Sequence, residues 1–223
     1  MDRLYSQFIR PGDLVFDVGA HVGDRVASFR RLGARVIAVE PQSALCRSLK
    51  LLFGRDSHVT LVPSAIGNAC GTAKMKINPK NPTISTLSED FIAASRKAIG
   101  WEGESWSRSL EVPVTTLDAL VDKYGMPTFI KIDVEGFEAK VLQGLSQPPP
   151  ALSFEFTTIQ RAVGVECLQR CVALGYTQFN AAIGESQTLG EWRSAAALKD
   201  WLMALPHEAN SGDIYARGQT GLS

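Results

Sequence analysis

Five acids stand where apolar runs give out, and their positions suggest ligand chemistry. Asp17 precedes the loop Gly19-Ala20-His21-Val22-Gly23, Glu40 and Pro41 close VIAVEP, Asp133 and Glu135 follow FIKI, and Glu155 lies inside SFEF. A carboxylate accepts hydrogen bonds from ammonium groups and hydroxyls, and a glycine loop lets a ligand approach the backbone. The loop spacing is D-x-G-x-x-x-G rather than the G-x-G-x-x-G of a dinucleotide fingerprint.

An acid two places before the first glycine adds nothing for a pyrophosphate anion, whereas it attracts an ammonium. The residues therefore favour S-adenosylmethionine, which ends in an amino acid and carries no phosphate, over NAD. Gly19, Ala20, His21 and Gly23 would cradle its methionine end. Glu40, at the end of a second apolar strand and followed by Pro41, is placed to accept two hydrogen bonds from the vicinal hydroxyls of a ribose. Ser64 and Ala65, after a third strand at 58–63, are expected at the same sheet edge, facing an adenine.

The second chemical centre is TFIKIDVEGFEAKVLQGL. Lys131, Asp133 and Glu135 interrupt or follow a strand expected to be buried on both faces, where charges need partners or a purpose. Because Asp17, Glu40 and Asp133 all end parallel strands, they should converge on one crevice. For a base or hydrogen-bond acceptor in that crevice, Asp133, His21 and Glu155 are the candidates in that order. Glu155 either pairs with Lys131 across neighbouring strands or serves near the acceptor. A divalent ion on Asp133 with Glu135 or Glu155 is the alternative means of activation, but no His or Asn ligand spacing accompanies these acids and no metal is expected.

The elements that must position these residues alternate between strand and helix. Apolar runs at 13–18, 35–40 and 58–63 are followed by helical spacing at 24–33 and 43–53, then by a strand near 73–77. Further on, EVPV, FIKI, ALSFEFT, YTQFNAAI and GDIYARG read as strands, separated by helices at 116–124, 135–145, 160–174 and 191–205. Residues 78–110 break the rhythm with a proline-, serine- and threonine-rich stretch and two tryptophans. This reads as an inserted lid, in which Trp101 and Trp106 either wall the acceptor or anchor the insertion.

The chain has 223 residues, 45% of them hydrophobic, which suits one domain spanning 1–223. Lys plus Arg and Asp plus Glu both total 23, so no broad attraction to nucleic acid is implied. No apolar run approaches the roughly 18 to 20 residues that span a bilayer. Four cysteines without metal-pair or disulfide-framework spacing suit reduced thiols in a cytoplasmic protein.

In DVGAHVG, VIAVEP, VPVTTLDAL, FIKIDVEGFEAKVLQGL and SFEF, taken in order, the chain resembles the FkbM family of S-adenosylmethionine-dependent methyltransferases over about 12–155. The resemblance implies an α/β, Rossmann-like class I methyltransferase. Its mostly parallel seven-stranded sheet would have order 3-2-1-4-5-7-6 with the last strand antiparallel and helices on both faces. It also implies transfer to a hydroxyl oxygen of a small-molecule, secondary-metabolite or glycan acceptor. Asp17, Gly19 and Gly23 then match the methionine-end loop, Glu40 the ribose acid, and Asp133 the acid near the transferred methyl, with Glu135 and Gly136 completing that motif. His21 departs from the asparagine common in the family. The alternatives are an N-methyltransferase, or a non-catalytic protein that binds S-adenosylmethionine or a partner on the same fold.

Overall fold

The apolar run after Asp13 forms β1 (Leu14–Val18), every residue of which is buried. The computed structural model describes residues 1–218. A short helix α1 (Asp2–Tyr5) precedes β1; then follow α2 (Asp24–Arg31), β2 (Arg35–Val39), α3 (Ser43–Phe53), β3 (Val59–Val62), β4 (Ala65–Ile66), β5 (Gly71–Ile77), α4 (Glu89–Ser95) and β6 (Arg108–Thr115). The second half runs α5 (Leu117–Tyr124), β7 (Phe129–Ile132), α6 (Glu138–Gln143), β8 (Ala151–Thr157), α7 (Arg161–Ala173), β9 (Gln178–Ile183), α8 (Ala195–Ala204) and β10 (Ser211–Arg217).

Seven strands form one sheet in the order β3-β2-β1-β7-β8-β10-β9. Counted within that sheet alone, this is the expected 3-2-1-4-5-7-6. Strands β1, β2, β3, β7 and β8 are parallel neighbours, and β10 runs antiparallel to both β8 and β9. The fold is thus the expected α/β sheet of the class I methyltransferase type.

Side chains alternate across each strand, so odd and even positions serve different layers. Phe16, Val18, Ile130, Ile132, Leu152, Phe154 and Phe156 pack with helices α5 to α8 in one core. Val15, Phe129, Ala151 and Tyr215 pack with α1, α2 and α3 in the other. The same two-residue period assigns Asp17, Lys131, Glu155 and Asp213 to this second face. Asp17 is level with Lys131, and Glu155 is level with Asp213. A face that elsewhere holds aromatic rings therefore gathers charge at one end.

Several local expectations are corrected. The strand near 73–77 joins no part of the main sheet; β5 pairs antiparallel with β6, which pairs parallel with β4, giving a separate three-stranded sheet. Because Arg108 to Leu110 pair with Ile77 to Met75, the insertion occupies 78–107 and not 78–110. The helix expected at 135–145 starts at Glu138, since Glu135 and Gly136 adopt left-handed conformations (φ 57° and 84°) that an α-helix excludes. Helix α5, by contrast, is capped by Thr116 at the start of the 116–124 stretch as expected, its side chain accepting from the Ala119 amide. Among the described residues no helix is long and apolar enough to cross a membrane.

Candidate active site

A cavity of about 400 Å³ opens where β1, β2 and β7 end, a size typical of small-molecule sites. Asp17, Gly19, Ala20, His21, Glu40, Pro41, Ser64, Ala65, Asp133 and Glu155 all line it. Gly23 is the exception among the expected site residues: it begins α2 behind the loop, in the left-handed conformation (φ 93°).

The loop after β1 is held against its neighbours by main-chain bonds. The amides of Gly19 and Ala20 both donate to the Val39 carbonyl at 3.0 Å, and the Asp133 amide donates to the Val18 carbonyl at 2.9 Å. Gly19 has φ 86°, and a Cβ there would stand 1.8 Å from the Asp133 carbonyl oxygen. Only glycine lets the two strand ends approach this closely. The first loop and the post-strand acid are therefore one unit.

Asp17 is 2% exposed and its Oδ2 has no hydrogen-bond partner. Burial pushes its carboxyl up to about 7, against the pull of Lys131 and Arg25. Glu40 is anchored differently: Oε2 accepts from the His21 amide at 3.0 Å and Oε1 from the Gln42 amide at 2.8 Å. Burial raises it to about 7 in spite of these bonds. Each oxygen retains a lone pair that can accept from a ligand hydroxyl. His21 itself takes φ 48°, so the bond to Glu40 holds a backbone conformation that a side-chain-bearing residue seldom adopts.

Lys131 is wholly buried and organises the other half of the site. Its Nζ donates to Asp213 Oδ1 at 2.7 Å, Asp133 Oδ2 at 3.0 Å and the Ile132 carbonyl at 3.4 Å. Burial works against the ammonium, but the two aspartates outweigh it and hold Lys131 well above the usual lysine value. Burial likewise pushes Asp133 up, and Lys131 overcomes it, leaving that carboxyl below its usual range. Of the two roles weighed for Glu155, the pair with Lys131 is not formed, because Asp213 from the antiparallel β10 takes the place beside the ammonium.

Glu155 instead stands beside Asp133 and Glu135, its Oε2 buried without a partner. Oxygens of Asp133, Glu135 and Glu155 lie within 4.8 Å of one another. Burial, and then the charge of Asp133, raise Glu135 and Glu155 well above ordinary glutamates. The turn bearing Glu135 is fixed by Glu138, whose Oε1 accepts from the amides of Val134 at 3.0 Å and Gly136 at 3.2 Å. Sequence reasoning missed both Asp213 and Glu138. The visible signal for Asp213 was an acid inside the apolar strand GDIYARG; nothing marked Glu138 as more than a helix residue.

The insertion forms one wall of the cavity through Thr83, Ser85 and Leu87, with Met75 of β5 beside them. Beside the cavity it is tied down by Thr86 Oγ1, which donates to the Glu135 carbonyl at 2.7 Å, and by Gln42 Nε2, which donates to the Pro82 carbonyl at 3.2 Å. Trp101 and Trp106 do not line the cavity. They stand edge-on to Phe91, with centroids 5.4 and 6.2 Å away, and Trp106 Nε1 donates to the Ile84 carbonyl. Phe91 and Ile84 belong to the insertion too, so these contacts hold the insertion to itself rather than to the core.

The family model for the Methyltransferase FkbM domain matches residues 17–197, which includes every site acid except Asp213. The chain belongs to the FkbM methyltransferase family. Over 170 residues it is 28% identical to the 31-O-demethyl-FK506 methyltransferase FkbM of Streptomyces tacrolimicus, with 65% of each chain covered. It also resembles the crystal structure of methyltransferase FkbM from Methylobacillus flagellatus KT, with a TM-score of 0.55 and 15% identity over 97% of this chain, a likeness of fold alone. The matches cover 65% of the curated relative and 50% of that solved chain, less than two thirds of either.

Proposed function

We propose that this FkbM-family protein is a cytoplasmic S-adenosylmethionine-dependent methyltransferase acting on a hydroxyl oxygen of a small-molecule, secondary-metabolite or glycan acceptor. The observation that carries the reading is the meeting of Asp17, Glu40 and Asp133, from three parallel strand ends, in one cavity. The residues present suit the cofactor. The unpartnered, buried Asp17 Oδ2 matches the donors of an ammonium, and the anchored Glu40 carboxylate has lone pairs for two ribose hydroxyls. Ser64 and Ala65 supply a small-residue edge for the adenine.

When bound, S-adenosylmethionine supplies an electrophilic methyl on a sulfonium. The chain's contribution is to align the acceptor oxygen and receive its proton. Asp133, kept ionised by Lys131, is the first candidate to accept that proton, with His21 and Glu155 behind it. A carboxylate below its usual range is a weak base. Its best use is to orient the hydroxyl and take the proton as the new C–O bond makes that hydrogen acidic. No metal is assigned to this step.

The close trio Asp133, Glu135 and Glu155 also favours a second reading, an amine acceptor and N-methyl transfer, since a cationic amine would be drawn to it. Formation of S-adenosylhomocysteine, measured over matched panels of macrolide, glycan and amine acceptors, separates the two. Turnover on an alcohol that falls at least tenfold in Asp133→Asn, with cofactor affinity retained, supports O-methylation. Full turnover in that variant removes Asp133 from catalysis, and turnover on amines alone replaces the reading.

A further inference from the structure

The insertion reaches the cavity through one short stretch. Pro82–Ile84 form a single turn of 3₁₀ helix, Ser85 leaves it extended (φ −70°, ψ 136°), and Thr86 is bridged to Lys76 of β5 by main-chain bonds of 2.8 and 2.9 Å. Thr83, Ser85 and Leu87 line the cavity, whereas Ile84 and Thr86 are buried and do not. Both ends of the stretch are fastened beside residues assigned to the nucleoside. Gln42, whose amide donates to the ribose acid Glu40 at 2.8 Å, extends its side chain to the Pro82 carbonyl. Leu87 packs in one apolar cluster with Met75 and Ala65, at the edge assigned to the adenine.

Ser85 stands between these two ends. It is 4% exposed, and its Oγ accepts from the Asn78 amide at 3.3 Å. A serine hydroxyl also has one proton to donate, and among the described residues that proton meets no protein acceptor. A buried O–H that faces a cavity is costly unless a ligand takes the bond. Adenine supplies what this wall lacks: flat apolar faces for Leu87 and Met75, and ring nitrogens that accept at its edge.

We propose that residues 83–87 form a clamp on the purine nucleoside rather than a lid on the acceptor, with Leu87 and Met75 covering the adenine and Ser85 donating its hydroxyl to a ring nitrogen. This rests on the reading of the cavity as an S-adenosylmethionine site and adds to it the work of the insertion. The grip on the nucleoside is then separate from the grip on the amino-acid end, which falls to Asp17 and the glycine loop.

The test is calorimetric titration of the whole protein with S-adenosylhomocysteine and with methylthioadenosine, which keeps the nucleoside and the thioether but lacks the amino acid. Ser85→Ala is expected to weaken both ligands by the same factor, about three- to tenfold, the worth of one neutral hydrogen bond. Asp17→Asn is expected to weaken S-adenosylhomocysteine alone. Ser85→Ala protein that binds both ligands as tightly as the wild type overturns the proposal while leaving the cofactor reading standing. So does a loss confined to S-adenosylhomocysteine, which would put Ser85 at the amino-acid end, or a wild type that binds S-adenosylhomocysteine but not methylthioadenosine. Hydrogen exchange on the wild type checks the clamp without any substitution: both ligands are expected to slow exchange at the amides of 83–87, and unchanged exchange there overturns it. A folded wild type that binds neither ligand overturns the cofactor reading and this inference with it.

Discussion

Lys131→Met removes the one cation that two acids share while preserving the length of the side chain. Asp133 and Asp213 would then stand as uncompensated carboxylates beside an apolar group. Removing one partner of a buried ion pair typically costs about 3–5 kcal/mol. The Asp213 side chain is 14% exposed and that of Asp133 is 31% exposed, so solvent screening puts the expected cost near the lower end, about 3 kcal/mol. For a domain of this size that corresponds to a fall in Tm of roughly 6–12 °C. Urea unfolding at pH 7.5, paired with a thermal scan, measures it.

The pH dependence has a definite sign. Although burial opposes it, Lys131 holds Asp133 below its usual range. The resulting stability is complete above the unfolded-state value of about 3.9 and is lost as pH falls through the lowered folded value. The gap between wild type and variant is therefore widest above about pH 5 and narrows below about pH 4. Adding Asp213→Asn to Lys131→Met deletes one stranded charge and should recover at least about 1 kcal/mol. A single variant within about 0.5 kcal/mol of wild type, or a double variant no more stable than the single, would refute the reasoning.

Three further outcomes are expected. Gly19→Ala drives a Cβ onto the Asp133 carbonyl oxygen at a positive φ and should cost at least about 2 kcal/mol in urea unfolding. Its cofactor binding should be lost as the two loops part. Trp106→Phe deletes the Nε1 bond to the Ile84 carbonyl and should cost about 1 kcal/mol, with cofactor affinity unchanged because the ring lies outside the cavity. EDTA should leave methyl transfer at its full rate once an acceptor is found; a loss restored by Mg²⁺ would reassign the acid trio to an ion.

The ends of β1, β2 and β7 were legible because each is a short apolar run stopping at an acid. The two-residue alternation says which face Asp17 and Lys131 share. What could not be read were pairings made by topology. Asp213 reaches Lys131 across 82 residues of chain because β10 enters the sheet antiparallel beside β8, and local spacing carries no trace of that. The three-stranded sheet was hidden for the same reason: β5 and β6 are separated by the whole insertion, so their pairing has no turn signal. Helix α6 began late because the turn at Glu135 and Gly136 is set by the Glu138 carboxylate and by Thr86, one of them inside the helix and the other 49 residues away.

The most direct test of the central claim is calorimetric titration with S-adenosylmethionine of the wild type beside Glu40→Ala. Saturable binding is expected in the wild type. Losing hydrogen bonds between a charged carboxylate and the ribose is expected to weaken it by about 1.5–3 kcal/mol, roughly 10- to 100-fold in Kd. A folded wild type that binds no S-adenosylmethionine, or an equally tight Glu40→Ala variant, would contradict the assignment of this cavity.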